Sequence, residues 1–148
     1  MSMRLVNNSG YIILVVEDDP IQRQAMVKVL RRSRGDFEVK GAESAENALR
    51  RFTVDDKIDF DVIIADFHLE KGMNGIEFMR EWKRVYPFSK FILITGDRDP
   101  HLAVSATREG ICSYITKPTN ADELLSRVDE AISQRLSDAI ERKAIASR

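Results

Sequence analysis

The stretch IILVVEDDP, residues 12–20, passes from an unbroken apolar run straight into three acids and a proline. Residues 12–16 are short, continuous and rich in β-branched side chains, the pattern of a strand buried on both faces. Asp19-Pro20 has the form of a helix N-cap followed by proline at the first helical position. Outward from there the period keeps switching. Ile21, Ala25 and Val29, with Met26 and Leu30, make a helical stripe that stops at Gly35. Residues 37–42 read as a second strand, and Ser44 caps a helix carrying Ala45, Ala48, Leu49 and Phe52 on one face. A polar connection over residues 53–60 leads to DVIIAD (61–66), another buried-type strand. Gly75 opens a third helix with Phe78, Met79, Trp82, Val85 and Tyr86 along one side, and Pro87 ends it. FILIT (91–95) is a fourth strand, residues 102–109 a weaker helix before Gly110, and residues 113–116 a short fifth strand. From Ala121 the pattern is helical to near the end. Five alternations of strand and helix predict a parallel α/β sheet with helices on both faces.

Composition narrows the class. The chain has 148 residues, 43% hydrophobic and 32% charged, which suits one globular domain with a core of its own. A chain of this length buries roughly 70% of its unfolded surface and needs no disulfide or metal staple. Lys and Arg number 23 against 24 Asp and Glu, so the net charge of −1 argues against direct nucleic-acid binding. One cysteine, Cys112, excludes an internal disulfide and fits a reducing compartment. The longest clean apolar run, residues 11–16, is too short to span a bilayer, and residues 1–10 lack a signal-peptide core. The expectation is a soluble cytoplasmic chain with no membrane contact and a flexible N-terminus over residues 1–10.

In such a sheet ligands bind at the carboxyl ends of the strands, beside the point where strand order reverses. Glu17, Asp18 and Asp19 follow the first strand; Asp66 ends the third, Thr95 the fourth, and Lys117-Pro118 follows the fifth. A single Asp at such a junction is as often a helix cap as anything else, and Asp19 fits that role. Glu17, Asp18 and Asp66 together crowd three negative charges into one pocket, which Lys117 and one divalent cation neutralise. Carboxylate oxygens without His or Cys side-chain partners favour Mg²⁺ or Mn²⁺ over zinc.

These residues resemble the receiver domain of two-component response regulators. The resemblance runs through ILVVEDDP (13–20), DVIIADFHL (61–69), MNGIEFM (73–79), ILITGD (92–97) and YITKP (114–118), and covers about residues 11–135. It implies a flavodoxin-like (βα)5 three-layer sandwich of strand order 2-1-3-4-5. It implies Asp66 as phosphoacceptor, Asp18 as a direct Mg²⁺ ligand, Glu17 as a ligand largely through water, and the His68 backbone carbonyl completing the metal set. Thr95 matches the switch hydroxyl, Lys117 the phosphate-binding lysine and Tyr114 the switch aromatic. The implied function is to take a phosphoryl group from a histidine kinase or histidine phosphotransfer protein. The surface of the fourth helix, fifth strand and fifth helix then switches; the chain is a signalling domain rather than an enzyme acting on other molecules.

The sequence departs from the family pattern in two places. The loop after Asp66 reads FHLEKGMNG, with Glu70 where proline is common and Gly75 one residue late. Gly96 replaces a small alanine after Thr95 and is followed by Asp97. Both His68 and Asp97 should overhang the site, so with Gly96 they are candidates for tuning phosphate lifetime; solvated loop residues are the plainer reading. Trp82 and the methionines read as core, His101 as no ligand, and Arg31, Arg32 and Arg34 as a cationic helix end that suits the dipole. Residues 136–148 extend the last helix, carrying the stripe of Ile132 on through Leu136, Ala139 or Ile140, and Ala144, by roughly 18 Å for a dozen residues. Arg135 and Arg142 spoil a clean heptad. That extension is either a dimerising or linking stem or an amphipathic tail, the stem being favoured. A homodimer through it, or through the switching face, is a further partner. Two rival readings remain. A haloacid-dehalogenase-like Mg²⁺ phosphatase needs Asp-x-Asp on the first strand, where this chain has Glu17-x-Asp19. A phosphorylation-independent scaffold sits badly with Asp66, Thr95 and Lys117 all in place.

Overall fold

The computed structural model describes residues 10–69, 72–96 and 100–147. Five parallel strands, β1 (Tyr11–Val16), β2 (Phe37–Ala42), β3 (Val62–Asp66), β4 (Lys90–Thr95) and β5 (Ser113–Thr116), pair in the order β2-β1-β3-β4-β5. The helices are α1 (Pro20–Ser33), α2 (Ala45–Leu49), α3 (Gly75–Val85), α4 (Pro100–Arg108) and α5 (Ala121–Ala146). The strand runs legible in the sequence are buried as expected: residues 13–16 of β1 and 62–65 of β3 are fully enclosed. Alternate residues serve opposite faces. Ile13, Val15, Val62, Ile64, Ile92 and Ile94 pack with Leu30 of α1 and with Leu124, Val128 and Ala131 of α5. Leu14, Val16, Ile63, Ala65 and Phe91 pack with Ala45 and Ala48 of α2 and with Phe78, Met79 and Trp82 of α3. Leu93 on that second face meets Ile76 of α3 and Ala106 of α4.

The caps are where the chain punctuates itself. Asp19 accepts from the Ile21 and Gln22 amides, and Ser44 from the Asn47 amide, as anticipated. Asn74 and Glu77 form a reciprocal capping box on α3. The outer carbonyls of edge strand β2 are covered: Arg31 donates to Val39 O at 2.8 Å and Arg51 to Gly41 O at 2.9 Å. Guanidiniums there blunt an edge that could otherwise pair with another chain.

Three expectations are corrected. Residues 53–55 belong to a π-helical segment (Arg50–Asp55) that continues α2 and is anchored by Phe52, which is buried and meets the Phe60 ring edge to face. The α1 stripe is rotated: Ile21 is 78% exposed and Ala25 is exposed, while Met26, Val27, Val29 and Leu30 face inward. Arg135, read as an interruption of a seam, is 3% exposed and bound within the domain. Its Nη1 donates to Phe60 O at 3.1 Å, its Nη2 lies 3.2 Å from Asp59 Oδ2, and its Nε makes a 3.0 Å ion contact with the buried Asp61 Oδ1. Further along α5, Asp138 pairs with Lys90 and Arg142 lies over the Phe88 ring, 3.5 Å from its centroid. The α5 extension is therefore laid against the amino-terminal ends of β3 and β4 at least as far as Arg142.

Candidate functional site

Because all five strands run the same way, their carboxyl ends share one rim of the sheet. Glu17 and Asp18 leave β1, Asp66 is the last residue of β3, Thr95 the last of β4, and Lys117 comes directly after β5. The strand order reverses between β1 and β3, so Glu17, Asp18 and Asp66 meet at that crevice.

Lys117 is the hub. Its Nζ donates to Asp66 Oδ2 at 2.6 Å, to Gln22 Oε1 at 2.7 Å and to Glu17 Oε1 at 3.1 Å. The other Asp66 oxygen accepts from the His68 amide at 2.9 Å. Glu17 is almost wholly buried; its Oε2 accepts from the Asp19 amide at 3.1 Å, and its carbonyl accepts from Arg23 Nη1 at 2.6 Å. Burial, then the neighbouring Asp18 carboxyl, and also the Asp66 charge push the Glu17 carboxyl up to about 7, although the Asp19 amide and Lys117 pull the other way. Burial works against the Lys117 charge, but the hydrogen bonds and charges of Asp66 and Glu17 outweigh it and raise the ammonium above its ordinary range.

Thr95 is fully buried, and its carbonyl accepts from the Lys117 amide at 2.8 Å, which ties the ends of β4 and β5 together. The Lys117-Pro118 peptide is cis. Tyr114 is half-buried against the Ile76, Leu93 and Ala106 cluster. His68 is exposed, its ring meeting the Phe67 ring edge to face at 4.8 Å between centroids. A Cβ added at Gly96 would meet no atom within 4 Å, so that position is open. Asp97 and Glu70 lie outside the described residues.

Four contributors were missed. Gly75 brings the start of α3 against the acceptor strand: a Cβ there would stand 2.6 Å from Leu93 Cδ1 and 3.0 Å from Asp66 O. Glu46 of α2 accepts from the Met73 amide at 2.9 Å and so pins the loop that follows Asp66. Gln22 and Arg23 reach the site from the first turn of α1. Of these, only the α3 start carried a readable signal, the Asn74-x-x-Glu77 spacing of its capping box.

The donor set fits a hard divalent cation. Three carboxylates converge with one ammonium, and burial together with the neighbouring acids raises Glu17 to about 7, a penalty on its charged form that a cation would relieve. Among the described residues no three His, Cys, Asp or Glu side chains stand at chelating spacing. The set that the resemblance implies puts Glu17 behind a water and adds the His68 main-chain carbonyl, so only two side chains, Asp18 and Asp66, need touch the ion directly.

A sequence profile of the response regulator receiver domain matches residues 13–129. The chain belongs to that family. It is 31% identical over 140 residues to the transcriptional regulatory protein GlrR of Escherichia coli, covering 92% of this chain and 30% of that protein. It is likewise 31% identical over 139 residues to the C4-dicarboxylate transport transcriptional regulatory protein DctD of Pseudomonas aeruginosa, covering 92% and 29%. This receiver domain thus spans about a third or less of those relatives. Among solved structures it resembles a receiver domain protein from Clostridium thermocellum, with TM-score 0.75, 31% identity, and 84% and 96% of the two chains covered. It also resembles NtrX from Brucella abortus, with TM-score 0.80, 25% identity, and 94% and 30% covered. The flavodoxin-like order read from the resemblance is the order found.

Proposed function

We propose that this receiver domain takes a phosphoryl group from a phosphohistidine donor, on a histidine kinase or histidine phosphotransfer protein, onto Asp66. The observation that carries the reading is the Asp66 carboxylate at a strand end, one oxygen held by the Lys117 ammonium at 2.6 Å and the other by the His68 amide at 2.9 Å. That is a nucleophile oriented at both atoms and set beside its own charge compensator. Mg²⁺ or Mn²⁺, held by Asp18 and Asp66, by Glu17 largely through water, and by the His68 carbonyl, supplies positive charge for the transferring phosphoryl oxygens.

The residues of the chain do the rest. Asp66 forms the bond to phosphorus as the donor's bond breaks, and Lys117 follows the new negative charge. Thr95, whose carbonyl already holds the Lys117 amide, turns its hydroxyl toward the phosphoryl group, and Tyr114 moves further into the space beside Ala106. The α4–β5–α5 face changes shape as a result. Gly96 leaves open space where a side chain would stand beside the site, so it sets phosphate lifetime together with His68 and Asp97. The domain is a switch for a partner or for a further stretch of chain, consistent with relatives named as transcriptional regulators. The receiver body spans residues 11–135, and the α5 extension links it onward or to a second copy. No helix among the described residues is long and apolar enough to cross a membrane, and the donor proteins invoked place the domain in the cytoplasm.

Incubation with a small acyl phosphate and Mg²⁺ tests the reading. A single acid-stable, base-labile label on the wild type, absent from Asp66→Ala, is expected. Catalytic turnover of an exogenous phosphate ester would instead favour a phosphatase of the haloacid-dehalogenase kind, and no Asp66-dependent label would favour a phosphorylation-independent scaffold.

A further inference from the structure

An ammonium has three N–H donors, and each of those on Lys117 has an acceptor. Two acceptors are the Asp66 and Glu17 carboxylates. The third, at 2.7 Å, is the neutral amide oxygen of Gln22, on the exposed first turn of α1. Its orientation is dictated from both sides. The Asp19 carboxylate can only accept, so the amide nitrogen faces it, 3.2 Å from Oδ2; the ammonium can only donate, so the amide oxygen faces Lys117. Asp19 is held in turn by capping α1, accepting from the Ile21 amide at 2.8 Å and the Gln22 amide at 3.3 Å. A cap, an amide and an ammonium thus form one line from α1 to the site.

We propose that Gln22 is a positioning residue for phosphoryl transfer, holding the Lys117 ammonium at the mouth of the site against the pull of the two carboxylates beneath it. Lys117 is 27% exposed at its side chain, whereas those of Glu17 and Asp66 are 2% and 9% exposed. Without the amide oxygen, Nζ, already in contact with Asp66 at 2.6 Å, is free to pivot from the mouth toward Glu17, 3.1 Å away. An ammonium sunk between two carboxylates is badly placed to meet arriving phosphoryl oxygens, and transfer depends on that placement. The step itself is balanced without a proton: an Asp66 oxygen bonds to phosphorus, the bond from phosphorus to the acyl oxygen breaks, and the donor's carboxylate leaves with the electron pair.

The inference rests on Asp66 as phosphoacceptor, and its test separates the two. Gln24 supplies an internal control, being an exposed glutamine on the same helix with no hydrogen bond to Lys117. With an acyl phosphate as donor, which removes any effect on protein docking, and saturating Mg²⁺, Gln22→Leu should label about fivefold more slowly than wild type, the loss of one hydrogen bond to a charged but partly solvated group. Gln24→Leu should label at the wild-type rate. Independently of labelling, the Lys117 side-chain ammonium resonance should exchange with water several-fold faster in Gln22→Leu than in wild type or Gln24→Leu. Equal labelling rates for wild type and Gln22→Leu, equal slowing in both glutamine variants, or unchanged ammonium exchange would each overturn the role of Gln22. Absence of label on the wild type would overturn the Asp66 reading itself.

Discussion

Replacing Arg135 by alanine should cost the fold far more than removing any exposed arginine. The guanidinium is 3% exposed and answers the Asp61 carboxylate, which is fully buried, along with Asp59 and the Phe60 carbonyl. Asp61 has a second duty: its Oδ2 accepts from the Ile12 amide at 2.8 Å, so it cannot swing away to reach water without unpairing the start of β1. Deleting one member of a buried pair leaves a charge without compensation and typically costs about 3–5 kcal/mol. For a chain of this size that lowers Tm by roughly 10 °C. Thermal and urea unfolding followed by circular dichroism measure it. Lys90→Ala, which removes the partner of the part-exposed Asp138, is the comparison and should cost about 1 kcal/mol or less. The double variant Arg135→Met with Asp61→Asn should recover most of the loss, because asparagine still accepts from Ile12 and nothing buried remains charged. A loss under about 1 kcal/mol for Arg135→Ala, or no recovery in the double variant, would refute the uncompensated-charge reasoning. Labelling of Asp66 below the melting range should be unaffected, since Asp61 stands just before β3 and Asp66 at its end, about 16 Å apart.

Gly75→Ala places a Cβ 2.6 Å from Leu93 Cδ1 and against Asp66 O, so it should destabilise by about 1–3 kcal/mol and slow acyl-phosphate labelling at the same time. Gly96→Ala meets no atom, so its unfolding midpoint should match wild type within about 0.5 kcal/mol. Its aspartyl phosphate should decay more slowly; equal decay would remove Gly96 from lifetime control. Glu17 is held at about 7 against an ordinary value of 4.5. The fold binds that proton more tightly than the unfolded chain does, so the contribution is complete below pH 4.5 and is lost as pH rises through 7. Metal-free protein should therefore show Tm falling between pH 5 and pH 8, a slope that Glu17→Gln flattens. Added Mg²⁺ should raise Tm most at the alkaline end.

The sheet was legible because each central strand is enclosed on both faces and so had to be written as an unbroken apolar run, as residues 13–16 and 62–65 are. The site was legible for a related reason: its charged residues stand at strand ends, and the strands could be located. Contributions that arrive from helices were not legible. Gln22 and Glu46 are ordinary surface residue types on helical turns, and only packing shows that one reaches Lys117 and the other the Met73 amide. The α1 stripe misled because a helix N-terminus that overhangs the rim of a sheet has no core beneath it. Ile21 and Ala25 keep helical spacing there without being buried. Arg135 misled because a guanidinium in an apolar stripe reads as a defect until its acids are found, and those acids lie some seventy-five positions earlier in the chain.

The two ends of β3 show why acids at strand ends are ambiguous and what resolves them. Asp61 at one end is fully buried, yet its charge is answered by Arg135 and by the Ile12 amide, all held by packed elements. Nothing there asks for another ion, and the arrangement locks α5 to the sheet. Asp66 at the other end is accompanied by Glu17 and Asp18 and answered by the Lys117 ammonium and the His68 amide, and there burial first, then the neighbouring acids, push Glu17 up to about 7. Negative charge beyond what the chain can neutralise is unstable as a purely structural device, because it weakens the fold whenever the acids ionise. It becomes useful in the proposed role, where a divalent cation drawn to the acids in turn offsets the charge of an incoming phosphoryl group. The same residue type is thus fully answered within the chain just before β3 and, with its acidic neighbours, left open to a cation at the strand's far end.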